Sequence, residues 1–208
     1  MALTNVNLNR IDGSVGSIST ASISNIKNPN SASNNVVLNS DGTTTLTPSN
    51  IIKSETAKPT TSGTEVLFTG IPSWVKRITV MFNGVSTNGS SAFLIQLGSG
   101  SISTSGYQSN GVILQNGVTP TSQGSTAGFI SANSGAATDF FHGAYVFNLL
   151  GSNFWTGNGS LVRYSGTYQT HLCVGGVALG GLLDRLRLTT VNGTDTFDAG
   201  SVNILYEG

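Results

Sequence analysis

If this sequence encoded an enzyme, its acidic side chains would be the catalytic groups, and there are few of them. Asp184, Asp195 and Asp198 lie close together in the chain, and Asp139 or Glu65 could meet them after folding. Paired carboxylates can hydrolyse glycosidic bonds, because one protonates the leaving oxygen while the other acts as base or nucleophile. Asp195 and Asp198 lie, however, in a Gly- and Thr-rich stretch where aspartate usually caps turns. We therefore expect no enzyme, with a polysaccharide depolymerase as the less favoured alternative.

Residues for metal binding or nucleophilic catalysis are scarcer still. His142 and His171 lie 29 positions apart, with no Cys, His or Glu at ligand spacing. Cys173 is the single cysteine, lies in an apolar run and is expected to be a small buried side chain. Asp195 and Asp198 offer too few oxygen ligands for calcium. The sequence predicts no metal site, no cofactor and no catalytic residue, with each histidine in a structural hydrogen bond.

Neutral amides beside aromatic rings form a different kind of candidate site. An exposed ring can stack on the apolar face of a sugar while amides bond its hydroxyl groups. The candidate glycan contacts are Tyr107, Gln108 and Asn110 in one loop-like stretch and Asn153, Phe154 and Trp155 in another. The alternative is that Phe154 and Trp155 are core or interface aromatics, which is the commoner fate of such residues.

The low charge of the chain limits its partners. It has 9 Lys and Arg and 9 Asp and Glu among 208 residues, so its net charge is zero. Without clustered cations we expect no binding to nucleic acid. No uncharged apolar run is long enough for a membrane helix, and the first ten residues do not form a signal peptide. Neutral polar groups can instead bond hydroxyl-rich ligands or be buried against identical chains without the cost of desolvating ions.

The elements that would position these residues are β-strands. Apolar residues alternate with polar ones in short runs between Gly, Asn and Ser, and no run keeps a helical period. The predicted strands are 65–69, 75–82, 93–97, 111–114, 128–130, 144–150, 161–164 and 168–174, with 144–150 and 161–164 paired around a turn at 157–159. This spacing predicts an all-β chain with an antiparallel, jelly-roll-like β-sandwich over residues 59–208.

The last stretch, 183–208, is the most regular part of this pattern. Leu186 and Leu188 share one face, Asn192-Gly193 supplies a turn, and Val202, Ile204 and Tyr206 resume the alternation. Asn-Gly is the favoured pair for tight hairpin turns, so we expect a central β-hairpin. Because 195–200 separate the turn from the final strand, the connection is alternatively a longer loop or contains a bulge.

Residues 1–58 differ from the rest, because no Phe, Trp or Tyr precedes Phe68. Short alternating runs such as 3–8, and a strand-turn-strand unit over 34–48, predict an extended segment of short strands that cannot fill a core alone. We expect these strands to find partners on other chains. The linker-like stretch 56–63 is taken as the boundary, which gives an N-terminal segment, 1–58, and a head domain, 59–208.

Three motifs resemble tail-fibre and related virion proteins of tailed bacteriophages, particularly cyanophage-like ones. They are GIPSWVKRITVMFNGVSTNG at 70–89, LLDRLRLTTVNGTDTFDAGSVNILYEG at 182–208 and the shaft-like IKNPNSASNNVVLNSDGTTTL at 26–46. The resemblance implies a homotrimeric virion protein, made in the host cytoplasm, whose N-terminal segment intertwines or docks on other virion proteins. The expected function is a short tail fibre that binds host-surface polysaccharide, and the alternative is a capsid decoration protein. The motifs are structural and carry over no catalytic residue.

Overall fold

The computed structural model describes residues 52–131, 136–164 and 166–208 in full, and the backbone of three short strands before them. The chain divides into two compact units, Met1–Ser49 and Asn50–Gly208. In the first unit the strands β1 (Asn25–Ile26), β2 (Val36–Leu38) and β3 (Thr44–Leu46) form an antiparallel sheet in that order. The β2–β3 pair confirms the two strands predicted within 34–48, and the predicted turn between them lies outside the described residues. The shorter strands predicted before residue 25 lie outside the described residues.

The second unit is an antiparallel β-sandwich, as its alternating pattern predicts. Its larger sheet has the order β11-β10-β15-β14-β13-β7-β17-β4, with β5 also on β17, and its smaller sheet has the order β12-β8-β16-β6, with β9 also on β8. The strands are β4 Ile52–Ser54, β5 Lys58–Pro59, β6 Val66–Thr69, β7 Arg77–Thr87, β8 Phe93–Ser99, β9 Ser101–Ile102, β10 Gln108–Gln115, β11 Val118–Ser125, β12 Phe129–Ile130, β13 Phe140–Gly151, β14 Phe154–Tyr164, β15 Tyr168–Ala178, β16 Arg185–Thr190 and β17 Phe197–Glu207.

The core lies between the two sheets and follows directly from the two-residue period of the strands. In β7, Ile78, Val80 and Phe82 are buried, and they join Leu186 and Leu188 of the smaller sheet in one apolar cluster. Every second side chain of a strand points to the same face, so each sheet keeps one face for the core. None of the described residues lies in a helix that could cross a membrane.

The predicted C-terminal hairpin is wrong, although both of its strands exist and are flanked by neighbours on both sides. β16 lies between β8 and β6 in the smaller sheet, whereas β17 lies between β7 and β4 in the larger one. The connection therefore passes from one sheet to the other. Asn192 organises it, because its Oδ1 accepts hydrogen bonds from the backbone of Thr194 and Asp195 at 3.0 and 3.1 Å. The apolar face of a strand is buried against the opposite sheet whether its neighbour in sequence lies beside it in the same sheet or across from it in the other sheet. Alternation alone therefore does not show which of these two arrangements forms.

The predicted pairing of β13 with β14 is confirmed, but the predicted turn at 157–159 is wrong. The turn is at Ser152 and Asn153, both of which have positive φ, at 46° and 59°. Gly157 and Gly159 lie inside β14 instead, where an added Cβ would come within 2.6 Å of the Phe147 ring and 2.2 Å of the Tyr145 ring. These glycines make room for aromatic side chains rather than reversing the chain.

The start of the sandwich differs from the predicted boundary at residue 59. β4 and β5 both pair with β17, so residues 52–59 extend the larger sheet. Backbone pairing explains this, because an edge strand can be short and polar and still satisfy its hydrogen bonds on a partner. Whether residues 1–58 assemble with other chains stays a prediction.

Candidate functional site

An open, uncharged cleft lies where β11, β10 and β15 run side by side in the larger sheet. Its volume is about 560 Å³. Its lining consists of Tyr107, Gln108, Ser109, Asn110, Gly124, Ser125, Thr126, Val174 and Gly175. Three of the six predicted glycan contacts thus belong to one cleft, together with hydroxyl groups and an exposed valine.

The register of the strands places the amides of this cleft on the outer face of the sheet. Gln108 pairs with Gly176 of β15, and Asn110 pairs with Val174 of β15 and Gly124 of β11. Gln108, Asn110 and Val174 are exposed, so their side chains point away from the core. Glycines among the partners leave the surface low between these side chains, which forms the cleft.

Phe154 lies on the same outer face, two strands away from the amides. Its ring covers Gly176, since an added Cβ there would come within 2.8 Å of the ring's Cζ. Gly176 is also the partner of Gln108, and adjacent strands are about 4.8 Å apart. Phe154 is 38 % exposed, so part of the ring remains accessible. The structure therefore places Gln108, Asn110 and Phe154 on one face from segments more than forty residues apart in the sequence, with the Phe154 ring beside the cleft and not in its lining.

The predicted sugar contacts Tyr107 and Trp155 cannot stack on a ligand. Their side chains are only 1 % and 2 % exposed and belong to the core. The Tyr107 hydroxyl accepts a hydrogen bond of 2.7 Å from the Leu97 amide, and burial raises the pKa of this phenol to about 12. Each ring alternates inward from an exposed neighbour, Gln108 or Phe154, so neither can stack on a ligand at the surface. The alternative of a core aromatic is correct for Trp155.

Asn153 is part of the turn between β13 and β14 rather than of the cleft. Its backbone carbonyl accepts a hydrogen bond of 3.0 Å from the amide of Leu179, and its side chain is half-buried. The turn fixes where β14 begins and therefore where Phe154 lies. A role of Asn153 in ligand contact stays a prediction.

Val174, Gly175 and Gly176 are parts of the site that sequence reasoning missed. The sequence pattern predicts a strand at 168–174, which ends at Val174, and it does not by itself indicate a binding role for these residues. Continued to Gly176, the same period places Leu172, Val174 and Gly176 on one face, so the signal was present. The meeting of Gly176 with Phe154 depends on the register between β14 and β15, which the sequence does not reveal.

Four of the five acidic residues considered for paired-carboxylate chemistry have separate structural partners. Asp184 accepts two hydrogen bonds from Arg185, which hold the pKa of its carboxyl below the ordinary value. Asp195 accepts a hydrogen bond from the Ser91 amide at 2.9 Å. In β17, Asp198 is exposed. The two remaining candidates each form an ion pair, Glu65 with Arg187 at 3.0 Å and Asp139 with Arg163 at 2.5 Å.

The histidines and the cysteine are in structural positions, as expected. The Nδ1 of His142 accepts a hydrogen bond from the Gly84 amide at 3.1 Å. His171 is fully buried, its Nδ1 lies 2.9 Å from the Ser131 carbonyl, and burial lowers its pKa. Burial raises the pKa of the Cys173 thiol to about 11. Within the described ranges, no three His, Cys, Asp or Glu side chains are grouped so that they could hold a metal ion.

The chain matches no protein-family model, no curated protein and no solved structure. Its resemblance to virion proteins therefore rests on the three sequence motifs alone.

Proposed function

We propose that this chain is a structural virion protein of a tailed bacteriophage, a short trimeric tail fibre whose sandwich binds host-surface polysaccharide. The N-terminal unit, Met1–Ser49, attaches the protein to other virion components and joins the copies. The three sequence motifs support the virion assignment, and the scarcity of charge supports a ligand rich in hydroxyl groups.

The observation that carries the glycan proposal is the meeting of Gln108, Asn110 and Phe154 on one outer face. Amides offer both donors and acceptors to sugar hydroxyls, whereas a partly exposed ring offers its face to the apolar side of a pyranose. The site is built on paired strands, so its groups are held in place before the ligand arrives. Preorganisation of this kind lowers the entropy cost of binding.

The binding test uses the full chain and purified host-surface polysaccharide. Phe154→Ala should weaken binding about fivefold or more, because stacking on an aromatic ring contributes about 1–3 kcal/mol. The double variant Gln108→Ala/Asn110→Ala should weaken it similarly by removing the amides. Asn83→Ala is the matched control, since Asn83 is an exposed amide in β7, two strands from β14 and near the end of the sheet opposite to Phe154. Unfolding curves of all variants check that the sandwich is intact.

Two results would overturn the glycan proposal. The first is wild-type protein that binds no polysaccharide of a host that the particle adsorbs to. The second is binding that survives in the Phe154 and amide variants as well as in the Asn83 control.

Location on the particle tests the tail-fibre assignment separately. Antibody against the sandwich should label the tail in electron micrographs of the virion. Label on the shell would instead support a capsid decoration protein, and an unlabelled particle would contradict both assignments.

A further inference from the structure

Half of the larger sheet presents an outer face with almost no charge. The strands β10, β11, β13 and β15 contain no Asp, Glu, Lys or Arg, and β14 contains only Arg163. Arg163 pairs with the buried carboxylate of Asp139, so it does not supply charge to the outer face. Surfaces that stay in water normally have about a quarter to a third charged residues. This face is therefore unusual for a surface of a free, monomeric protein.

Large apolar side chains are gathered at one end of this face. The strand register places them in the last three outward-facing rows of β10, β15, β14 and β13. They are Leu114, Phe140, Val162, Tyr164, Tyr168 and Leu172, each at least 38 % exposed, and we call this set the apolar patch. The rings of Tyr164 and Tyr168 already contact one another, with centroids 4.8 Å apart.

The patch lies on a larger uncharged area of the sheet. Four strands spaced by about 4.8 Å and three rows spaced by about 6.7 Å give roughly 400 Å², in which the six apolar side chains share the rows with polar residues such as Ser160 and Thr170. Including the same rows of the neighbouring strands β7 and β11, in which no Asp, Glu, Lys or Arg lies, brings this face to roughly 580 Å² per copy. Two such faces bury nearly 1,200 Å², the lower bound for a stable specific interface.

We infer that the apolar patch is the surface through which the heads of two or more copies of this chain contact one another. Two copies of an uncharged surface meet without like-charge repulsion and without desolvating ions. Tyrosine and phenylalanine supply three of its six side chains, and aromatic residues are enriched in interface cores. This contact is additional to any that the N-terminal segment makes.

The apolar patch and the glycan cleft adjoin along the same strands. Leu172 of the patch lies two residues, about 7 Å, from Val174 of the cleft on the same outer face. Their far ends are well separated, since Val162 and Phe154 of β14 are eight residues apart, which corresponds to about 26 Å along the strand. Variants at the far ends can therefore be tested without removing contacts of the other site.

Single introduced thiols test the contact in the full chain. The native Cys173 is buried, so a maleimide should react only with the new cysteine. Tyr168 is 72 % exposed in the single chain and Leu182, which lies outside the patch, is 59 % exposed. If copies cover the patch, the Tyr168→Cys thiol should react at least about tenfold more slowly than the Leu182→Cys thiol, because a closed interface excludes the reagent. Burial within one chain predicts the opposite order.

A second test of the contact places a charge in the apolar patch. Adding Leu172→Glu to Tyr168→Cys should restore labelling to the rate of Leu182→Cys. Labelling of Tyr168→Cys as fast as Leu182→Cys would overturn the inference, and so would slow labelling that Leu172→Glu leaves unchanged in protein with a wild-type unfolding curve. Neither result bears on glycan binding, which depends on other residues.

Discussion

Replacing Arg163 with methionine should destabilise the sandwich far more than the same replacement at Arg77. The Arg163 Nε lies 2.5 Å from Asp139 Oδ2, and the side chains are 12 % and 1 % exposed. Arg163 also donates a 2.5 Å hydrogen bond to Gln169. Without the guanidinium, the carboxylate of Asp139 is left buried beside a neutral side chain. Removing one partner of a buried pair costs about 3–5 kcal/mol.

The exposed pair of Arg77 and Glu207 is the matched control. Its side chains are 49 % and 32 % exposed and its N–O distance is 3.5 Å, so water screens the attraction. Arg77→Met should cost no more than about 1 kcal/mol. For a unit of this size, the difference corresponds to a melting temperature about 4–20 °C lower for Arg163→Met than for Arg77→Met.

Chemical denaturation of both variants measures the difference. The free energy of unfolding should fall without a change in its denaturant dependence, because the surface exposed on unfolding stays the same. Adding Asp139→Asn to Arg163→Met should recover part of the loss by removing the uncompensated charge. Equal losses for Arg163→Met and Arg77→Met would refute the reasoning that burial makes the first pair critical.

Two further predictions concern the core. Gly157→Ala should cost about 1–3 kcal/mol by overpacking, since the new Cβ would lie 2.6 Å from the Phe147 ring, while Gly180→Ala, with nothing within 4 Å, should be nearly neutral in the same unfolding assay. Because burial raises the pKa of Cys173 from 9.0 to about 11, the unfolded chain ionises first as pH rises, and stability falls across that window. Relative to Cys173→Ala, the wild type should lose up to about 2.7 kcal/mol between those pH values; parallel pH profiles would contradict this.

Alternation predicted the strands well where one face is buried and the other is wet. The faces of β7 and β17 follow this rule, with Val80 and Ile204 buried and Thr79 and Leu205 only partly so. It failed for β11, which was not predicted, because every side chain of this polar edge strand is at least partly exposed. A strand stabilised by backbone pairing alone leaves no apolar signal.

Asn-Gly pairs are a mixed guide to turns in this chain. Asn116-Gly117 does turn the chain between β10 and β11, whereas Asn110-Gly111 and Asn158-Gly159 lie inside strands. Gly159 is required there by the Tyr145 ring rather than by positive φ. Sequence shows that glycine lacks a side chain, but only the register shows whether a turn or a neighbouring ring needs the space.

The candidate site was predictable in part for the same reason. Gln108, Asn110 and Phe154 are polar or aromatic residues near strand ends, which is a local signal. Trp155 and Tyr107 are their immediate neighbours and point the other way, so an error of one position separates a surface ring from a core ring. Which two segments meet depends on the order of β10, β15 and β14, a long-range property of the fold.

The cleft and the apolar patch make a joint prediction, which rests on both proposals. Patches that hold neighbouring heads together fix their clefts in one orientation, so several clefts can bind one surface at once and weak single sites can add up to strong attachment. Tyr168→Glu should therefore reduce attachment to a polysaccharide-coated surface on the order of a hundredfold, while leaving the affinity for a short soluble oligosaccharide unchanged. Phe154→Ala should weaken both, because it alters the single site. Surface plasmon resonance with immobilised polymer and calorimetry with the oligosaccharide measure the two quantities. Equal effects of Tyr168→Glu in both assays would show that the patch contributes to the site itself rather than to the number of sites that bind together.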